Sequence, residues 1–514
     1  MLKLFLLIFS YCILQNESAR ILAVFPTPSI SHQVTFRPLT QELVRRGHDV
    51  VVITPDPAFL NSDKPDNLTE IDVHDVSYKL WTEKVTNEAV AFGDKGGLVK
   101  QLDVIFDTIV QVFETQMASD EVQKIIKNET GRFDLLLVEA FVLPTLGFSH
   151  IFKVPVIQIS SFLPLYFDLH NVGAPDHPIL YPTFGSQKLD NLSIVERIEA
   201  LLGYLYLDMD KYETVLDDVN KRVFGPNVPR LKELYNNIDM LFLNTFPMWD
   251  SNRPVPPNVK YVGGIHINTL KELPQDFKAY LDSSTHGVIY ISFGTNVSPS
   301  SLPPEKIQVI TNVLSRLPYD VIWKWDKEEL PGRPKNVKIM KWVPQSDLLR
   351  HPKIKLFVTQ GGLQSTDEAI SAGVPLLGIP MLADQWYNVA MYERHRIGIK
   401  VDLDEVSEEK FKDAIDSLTK DDTYKQNIMR FRSILSDQPQ TPLQRAVWWT
   451  EYTLRHGGAK HLRAPAANMP WTTYYQLDVL VVVMLAAMPV IYLMVMMISA
   501  VKMLYNAMME LANK

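Results

Sequence analysis

The chain has 514 residues, of which 46% are apolar and 21% are charged, and its formal net charge is −8. This length exceeds what one hydrophobic core usually organises, so we expect two domains with appended segments. The acidic balance excludes nucleic acid as a partner, because a surface that binds the phosphate backbone needs clustered lysine and arginine, and no basic stripe is present.

The first apolar run, Leu2–Leu14, carries Lys3 near its start and predicts a secretory signal peptide over residues 1–19. A buried N-terminal helix is the alternative. The single cysteine, Cys12, lies in this run, so the mature chain would contain none, which excludes disulfides, cysteine nucleophiles and thiolate metal sites. Glycosylation sequons compatible with a secretory lumen follow at Asn67, Asn128, Asn191 and Asn296.

Residues 20–245 alternate short apolar runs with amphipathic stretches, which is the pattern of a parallel sheet covered by helices. Strands are predicted at Ile21–Phe25, Val50–Ile53, Phe133–Val138 and Val154–Ile159. Long helical segments, predicted at Leu98–Lys127 and Ser193–Val223, would cover the sheet or extend over a pocket. We therefore expect an N-terminal α/β domain.

A second α/β domain is predicted over residues 276–440, after a linker over 246–275. The linker contains the proline-rich passage Phe246–Asn258, which has no hydrophobic period. Strands of the second domain are predicted at Val288–Ser292, Val321–Trp323, Val337–Met340, Lys355–Thr359 and Pro375–Pro380.

The last part of the chain combines an amphipathic helix, within residues 441–476, with a membrane span. The uncharged run Val479–Val501 would extend about 35 Å as a helix, longer than a hydrocarbon core of about 30 Å. We therefore expect a transmembrane helix over 477–503, preceded by an interfacial aromatic belt of Trp471, Tyr474 and Tyr475. Together with the signal peptide, this predicts a type I protein with a lumenal body and a cytoplasmic tail over 504–514.

The stretch from Trp342 to Gln385 carries the most specific chemical pattern. A predicted strand is followed by Gln360, Gly361 and Gly362, and these lead directly into a predicted helix. Free backbone N–H groups therefore lie at the positive end of the helix dipole. Proteins hold a diphosphate in this way without a metal. The two glycines could instead form an ordinary strand-to-helix turn.

Side chains suited to a nucleotide sugar surround this anchor. Trp342 can stack on a flat base, and Gln345 can bond the edge of that base. Glu368 can accept hydrogen bonds from ribose hydroxyls, and Asp384 with Gln385 can bind sugar hydroxyls. The alternatives are a core tryptophan, a solvated glutamate and an aspartate that merely caps a helix.

The order and spacing of these residues resemble the signature of the UDP-glycosyltransferases. The resemblance covers nearly the whole mature chain, including the passages Pro257–Gly264 and Arg455–Arg463, and is strongest to the membrane-bound members from insects. It implies the GT-B architecture, in which two doubly wound Rossmann-like domains face a cleft. It also implies that the helix after Pro442 packs back on the N-terminal domain, and that the protein resides in the endoplasmic reticulum membrane.

The family pattern assigns the donor residues. Uracil would be held at Trp342, Val343 and Gln345, and the ribose by Glu368. The diphosphate would be held by Ser292, Gly294, Thr295, Gln360, Gly361, Gly362 and Gln364. Where many relatives carry histidine, this chain has Gln360, which can donate a hydrogen bond but cannot carry positive charge.

A catalytic pair is expected at His32 and Glu139. His32 lies in the turn after the first strand and resembles the family's general base, a role that suits an imidazole. Such a base needs an acidic partner to orient the ring. Where the family has aspartate after a later strand, this chain has Glu139, and its extra methylene would require the backbone to withdraw by about an ångström. A structural or solvated histidine is the alternative.

A metal-dependent transferase is the rival suggested by two acidic pairs, Asp208 with Asp210 and Asp402 with Asp404. Neither pair follows a buried strand, as a metal-bridged diphosphate site would require. We therefore expect no metal and no cofactor, only a UDP-sugar as co-substrate.

The resemblance thus implies an inverting transfer of a hexosyl group, above all glucose, from a UDP-sugar to a hydroxyl of small lipophilic acceptors, giving β-glycosides. Because Gln360 and Glu139 depart from the family pattern, a non-catalytic UDP-sugar or lipophile-binding protein is the alternative. A membrane receptor has only the topology in its favour. A homo-oligomer is compatible with the sequence, which leaves the acceptor open.

Overall fold

The computed structural model describes residues 18–59, 63–86, 93, 98–127, 131–183, 185–206, 210–267, 271–295 and 297–513. Residues 1–17 of the expected signal peptide, the sequons at Asn128 and Asn296, and Asp208 lie outside these ranges.

The N-terminal domain is built on a seven-stranded sheet in the order β3-β2-β1-β4-β5-β6-β7, with every neighbouring pair parallel. Its strands are β1 (Arg20–Val24), β2 (Asp49–Thr54), β3 (Leu68–Asp72), β4 (Leu135–Glu139), β5 (Val156–Ser160), β6 (Ile238–Leu243) and β7 (Val259–Tyr261). Its helices are α1 (Ile30–Arg45), α2 (His74–Trp81), α3 (Leu98–Met117), α4 (Asp120–Ile126), α5 (Gly147–Phe152), α6 (Tyr166–Val172), α7 (Ile194–Tyr206), α8 (Asp210–Phe224) and α9 (Leu231–Leu234).

The central strands are apolar because helices cover both faces of this parallel sheet. Every residue of β4 is buried, and α1 packs Phe36, Leu39 and Leu43 into the core beside β1. The chain then turns at Gly47, where φ is 95° and a residue with a Cβ would be strained. The long helical segment expected at Leu98–Lys127 is divided into α3 and α4, and the one expected at Ser193–Val223 contains α7 and α8 on either side of residues 207–209, which lie outside the described ranges.

The C-terminal domain contains a six-stranded parallel sheet in the order β10-β9-β8-β11-β12-β13. Its strands are β8 (Val288–Ser292), β9 (Asp320–Lys324), β10 (Val337–Met340), β11 (Ile354–Thr359), β12 (Leu376–Gly378) and β13 (Gly398–Lys400). Its helices are α10 (Gln275–Ser283), α11 (Pro304–Leu314), α12 (Gln345–Leu349), α13 (Leu363–Ala372), α14 (Gln385–Arg394), α15 (Glu408–Lys420) and α16 (Asp422–Ser436).

The expected linker over 246–275 is partly wrong, because it contains β7, which pairs with β6 and completes the first sheet. The passage before β7 is ordered by a buried ion pair between Arg253 and Asp250, whose carboxylate also accepts a 2.8 Å hydrogen bond from Tyr261 Oη. Proline-rich sequence here therefore forms a fixed connection between β6 and β7 of the first sheet.

After the second domain the chain returns to the first one and then leaves it. Helix α17 (Pro442–Arg455) packs on α1, where Glu451 accepts a 3.0 Å bond from Arg46, and Arg445 donates to the Tyr261 carbonyl at 2.7 Å. The short helix α18 (Trp471–Tyr474) then leads to α19 (Leu477–Ala512).

Helix α19 has 36 residues and is long and apolar enough to cross a membrane. It contains the span expected at 477–503, and Pro489 lies inside it without ending it. The residues of the expected tail, 504–514, continue this helix as far as Ala512.

Candidate active site in the cleft between the two sheets

A cavity of about 750 Å³ lies between the carboxyl ends of the two sheets. His32 lines it from the first domain. All the donor residues expected from the sequence line it from the second domain except Gly361, and Glu139 lies behind His32. Ligands of doubly wound sheets bind at this edge, where the loops after the strands converge.

His32 and Glu139 are brought together by the register of two adjacent strands. Val24 of β1 pairs with Val138 of β4, so the turn after β1 lies beside Glu139, the last residue of β4. His32 Nδ1 lies 2.7 Å from Glu139 Oε1, and the other carboxylate oxygen accepts a 3.1 Å bond from the Thr27 amide. The glutamate is fully buried.

The contacts of the His32 ring define its role. Ser161 Oγ lies 3.0 Å from the same Nδ1, so Nδ1–H is directed at a carboxylate and a hydroxyl oxygen. Nε2 is then the nitrogen that can take a proton. Phe162 and Phe141 flank the imidazole, with ring centroids at 5.5 and 6.3 Å. This is the arrangement of an oriented general base in an apolar setting.

The residues expected to hold the diphosphate include two glycine turns at the ends of adjacent strands. Gly294 after β8 and Gly361 after β11 have φ of 77° and 92°, a region that favours glycine. A Cβ on Gly294 would collide with the Gln360 amide, and one on Gly361 would lie 2.5 Å from Val389. Gly362 then caps α13, so the free N–H groups of the first helical turn lie at the cavity.

Lys324 is a donor-site candidate that the sequence analysis missed. It is the last residue of β9, and its ammonium donates to the Gly294 carbonyl at 3.0 Å and lies 5.0 Å above the Trp342 ring. Burial lowers the pKa of Lys324. The available signal was its position at the carboxyl end of a strand, where such sheets bind ligands.

Trp342 is 66% exposed and lines the cavity, so it is not a core residue. An exposed indole beside a lysine that bonds the Gly294 turn is suited to stacking on a base.

Replacing Trp342 by alanine is expected to weaken UDP binding by one to two decades, because stacking of a base on an aromatic ring contributes roughly 1–3 kcal/mol. Isothermal titration calorimetry with UDP measures the change. Trp448→Ala, which removes an exposed indole on α17, is the control and should leave UDP affinity unaltered. Equal affinity in the Trp342 variant and the wild type would contradict the assignment.

Gln345 holds Glu368 instead of presenting a free amide. Its Nε2 donates to Glu368 Oε2 at 2.7 Å and to Ser365 Oγ at 2.9 Å, and its Oε1 accepts from Tyr290 Oη at 3.1 Å. The side chain is therefore already bonded at both ends, and the expected bond to the edge of a base is not free to form without breaking these. Burial raises the pKa of Glu368, which is thus not a solvated helix residue.

Gln364 joins the two domains across the cleft. Its amide donates to the Ser161 carbonyl at 2.9 Å, and Ser161 Oγ contacts His32. The sequence assigned Gln364 to the diphosphate by resemblance; in the structure its side chain bonds the opposite domain.

Asp384 and Gln385 lie at the start of α14. Gln385 Oε1 accepts bonds from the Met381 and Leu382 amides at 2.9 and 2.8 Å, so its Nε2 is the group left for a sugar hydroxyl. Burial raises the pKa of Asp384 to about 6, against the opposing influence of a bond from Asn388 and of His32. The side chain of Asp384 makes no helix-capping bond.

Affinity for UDP-glucose is expected to fall as the pH decreases through about 6, the pKa of the Asp384 carboxyl. Above this pH the group is ionised and accepts hydrogen bonds from sugar hydroxyls, whereas below it the neutral acid has lost acceptor capacity. Calorimetry across this range tests the expectation. The Asp384→Asn variant should bind more weakly and show no such pH dependence; a dependence unchanged in this variant would assign it to another group.

Of the acidic residues considered for a metal, Asp402 and Asp404 are not among the residues that line the cavity, and Asp402 lies 3.5 Å from Lys400. Asp208 lies outside the described ranges. Within the ranges that the structure describes, no group of three histidine, cysteine, aspartate or glutamate side chains could hold a metal ion.

Comparisons with known proteins cover nearly the whole chain. A family model described as "UDP-glucoronosyl and UDP-glucosyl transferase" matches residues 20–514. The chain is 36% identical to the ecdysteroid UDP-glucosyltransferase of Spodoptera littoralis nuclear polyhedrosis virus, over 93% of this chain and 96% of the relative. It is 29% identical to human UDP-glucuronosyltransferase 2B7, over 94% and 93%.

The fold also matches solved structures. A UDP-glucosyltransferase from Polygonum tinctorium, crystallised with 3,4-dichloroaniline, superposes with a TM-score of 0.57 at 16% identity, over 85% of this chain and 99% of the other.

Proposed function

The chain belongs to the UDP-glycosyltransferase family, enzymes that transfer a sugar from a UDP-sugar, and on that premise we propose that it makes β-glucosides of small lipophilic alcohols and phenols. Its two Rossmann-like domains form the GT-B fold. One observation carries the proposal: the His32–Glu139 pair lies across a single cavity from Asp384 and the glycine turns.

In the proposed reaction, His32 Nε2 removes the proton of the acceptor hydroxyl while that oxygen attacks C1 of the sugar. The new C–O bond forms on the face opposite the diphosphate, and the bond from C1 to the phosphate oxygen breaks, which inverts C1. Glu139 orients the ring and stabilises the imidazolium. The charge that develops on UDP is stabilised by the N–H groups of α13, by Gln360 and by Lys324.

Glucose is supported over glucuronate by the distribution of charge in the cavity. Besides the histidines His32 and His266, the basic side chains among its described lining residues are Lys271, Lys324 and Arg350. The backbone N–H of Lys271 donates to Asp347 at 3.0 Å. Lys324 contacts Trp342 and Gly294, and Arg350 lies beside Asp347, so both belong to the nucleotide end. The expected sugar end has Asp384 and Gln385, and a uronate carboxylate there would be near another carboxylate. The viral relative is likewise named a glucosyltransferase.

A neutral lipophilic acceptor is supported by the side of the cavity formed by the N-terminal domain. The apolar and aromatic residues that line it are Ile30, Val34, Tyr78, Trp81, Leu102, Ile105, Phe141, Phe162 and Leu165. Aromatic rings around the proposed general base, His32, provide a surface for flat aglycones and exclude water from the reaction.

Membrane attachment through α19 completes the proposal. The protein would be anchored in the endoplasmic reticulum membrane with its two domains in the lumen, directed there by the signal peptide expected at residues 1–19.

Turnover by the purified full-length protein in detergent tests the function. UDP-glucose, UDP-glucuronate and UDP-galactose are each incubated with a panel of phenols and steroids, and products are identified by mass spectrometry. Nuclear magnetic resonance of the product reports the anomer. We expect β-glucosides; an α-product, or efficient transfer of glucuronate in preference to glucose, would contradict the proposal. UDP binding without turnover on any acceptor would favour the non-catalytic alternative.

A further inference from the structure

Asn388 makes three hydrogen bonds at the edge of the donor site. It lies on α14 and is fully buried, one turn after Asp384. Its Nδ2 donates to Asp384 Oδ2 at 2.8 Å and to the Gly361 carbonyl at 2.9 Å. Its Oδ1 accepts a 2.9 Å bond from the Trp249 indole. The residue thus connects the expected sugar ligand and the glycine turn after β11 to the β6–β7 connection of the N-terminal domain.

Trp249 is itself fixed by its surroundings. It is buried, its carbonyl accepts a 2.6 Å bond from Tyr387 Oη, and its ring stacks on His395 with a centroid distance of 5.8 Å. The indole N–H is a donor only, so it can bond the oxygen of the Asn388 amide and not its nitrogen. Trp249 therefore directs the NH₂ group of Asn388 towards Asp384.

Few residue types could replace asparagine here. The position requires two donors and one acceptor on a short side chain, which an amide supplies and a carboxylate, a hydroxyl or an apolar group does not. With another residue, the indole N–H and the Gly361 carbonyl would be left without their bonds in a buried place, which is unfavourable.

We propose that Asn388, held by Trp249, is a positioning residue that orients the Asp384 carboxylate and so governs how tightly the hexose of the donor is bound. Loss of this positioning should weaken binding of the sugar more than binding of UDP. The N–H groups that face the diphosphate belong to α13, which Asn388 does not orient. The inference rests on the proposed function only in placing the sugar at Asp384.

A pH dependence provides a readout that a loss of stability alone would not produce. The titratable groups that act on Asp384 among the described residues are His32 from α1 and Tyr392 from α14. Removing the hydrogen bond from Asn388 to Asp384 leaves His32 and Tyr392 unchanged. It removes an interaction that favours the ionised form of Asp384. The midpoint of the pH dependence of UDP-glucose binding should therefore move to higher pH.

The test compares Asn388→Ala and Trp249→Phe with Tyr387→Phe in the full-length protein. Tyr387→Phe is the matched control, since it removes a buried hydrogen bond to the same tryptophan without contacting Asp384 or Gly361. Calorimetry gives the affinities for UDP and for UDP-glucose, and thermal unfolding verifies the fold. Trp249→Phe decides the question if the alanine variant does not fold, because it keeps an aromatic ring in place and removes the indole N–H, together with part of the ring volume, while Asn388 itself is unchanged.

We expect Asn388→Ala to bind UDP-glucose about tenfold more weakly while UDP affinity changes less than threefold, with a smaller loss of the same kind in Trp249→Phe. The midpoint pH should rise in both variants, and Tyr387→Phe should keep the wild-type ratio of affinities. Equal losses for UDP and UDP-glucose, or the same change of ratio in Tyr387→Phe, would overturn the inference. The readout is binding, so absence of transfer by the wild type would reject the proposed function without affecting this result.

Discussion

The His32→Ala variant is expected to transfer sugar about 10²–10⁴-fold more slowly than the wild type, the usual contribution of a general base. Its affinity for UDP should stay within about twofold, because the residues expected to hold UDP belong to the other domain and bind through stacking and backbone N–H groups. Initial rates with an acceptor that the wild type glycosylates give the rate of transfer, and calorimetry gives the affinity for UDP.

Two further measurements separate loss of the base from a general defect. His286→Ala removes an exposed histidine from the C-terminal domain and should keep full activity. Added imidazole should restore part of the activity of His32→Ala, since the deleted ring leaves space in the cavity. A His32 variant with unaltered turnover would show that another group removes the proton, or that transfer does not use a base.

Glu139→Gln is expected to lower kcat by about two to three decades, less than the effect known for the corresponding change in serine proteases. The amide keeps the volume of the side chain and an acceptor for the Thr27 N–H. It loses the negative charge that stabilises the imidazolium, and its NH₂ can bond Nδ1 and select the wrong tautomer of His32. Single-turnover rates at saturating UDP-glucose measure the change in the chemical step.

The matched control for Glu139 is Asp134→Asn, just before the other end of β4, where the carboxylate accepts a 2.8 Å bond from the Arg20 amide. It should leave the rate unaltered. Glu139→Asp should recover part of the activity lost in Glu139→Gln, because the charge returns at a longer distance from the ring. If Glu139→Gln transferred sugar at the wild-type rate, the carboxylate would have no part in orienting the base.

Most strands could be predicted from apolar runs, and two were predicted to the residue, Val288–Ser292 and Val337–Met340. Four strands were missed. One of them, β6, is a run of six buried residues that the same pattern could have identified, and the other three show where this information ends. β7 and β13 have three residues each, too few for a pattern, and they form because a neighbouring strand offers its free edge. β3 buries only Leu68 and Ile71 and includes Glu70, as suits a strand at the edge of the sheet.

The amides of the site illustrate a second limit of the sequence. Glutamine at 345, 364 and 385 was expected to bind the donor, yet its bonding groups are partly or wholly occupied by protein partners. Which atom of an amide remains free depends on neighbours that are remote in sequence, such as Tyr290 and Ser161. The roles of Lys324 and Asn388 were not predicted for the same reason, because their partners are identified only when the strands are assembled.

The sequence by itself determined the fold class, the family and the type of donor. The glycines, the tryptophan and the acidic residues of the donor site lie in a nearly contiguous stretch, and the local conformations they require are properties of the residues themselves. Only the tertiary structure decided how His32 meets Glu139, 107 positions away, and which groups of the site are free to bind a ligand. The physical reason is that hydrogen-bond distances across a cleft are set by strand register and helix packing, to which residues far apart along the chain contribute together.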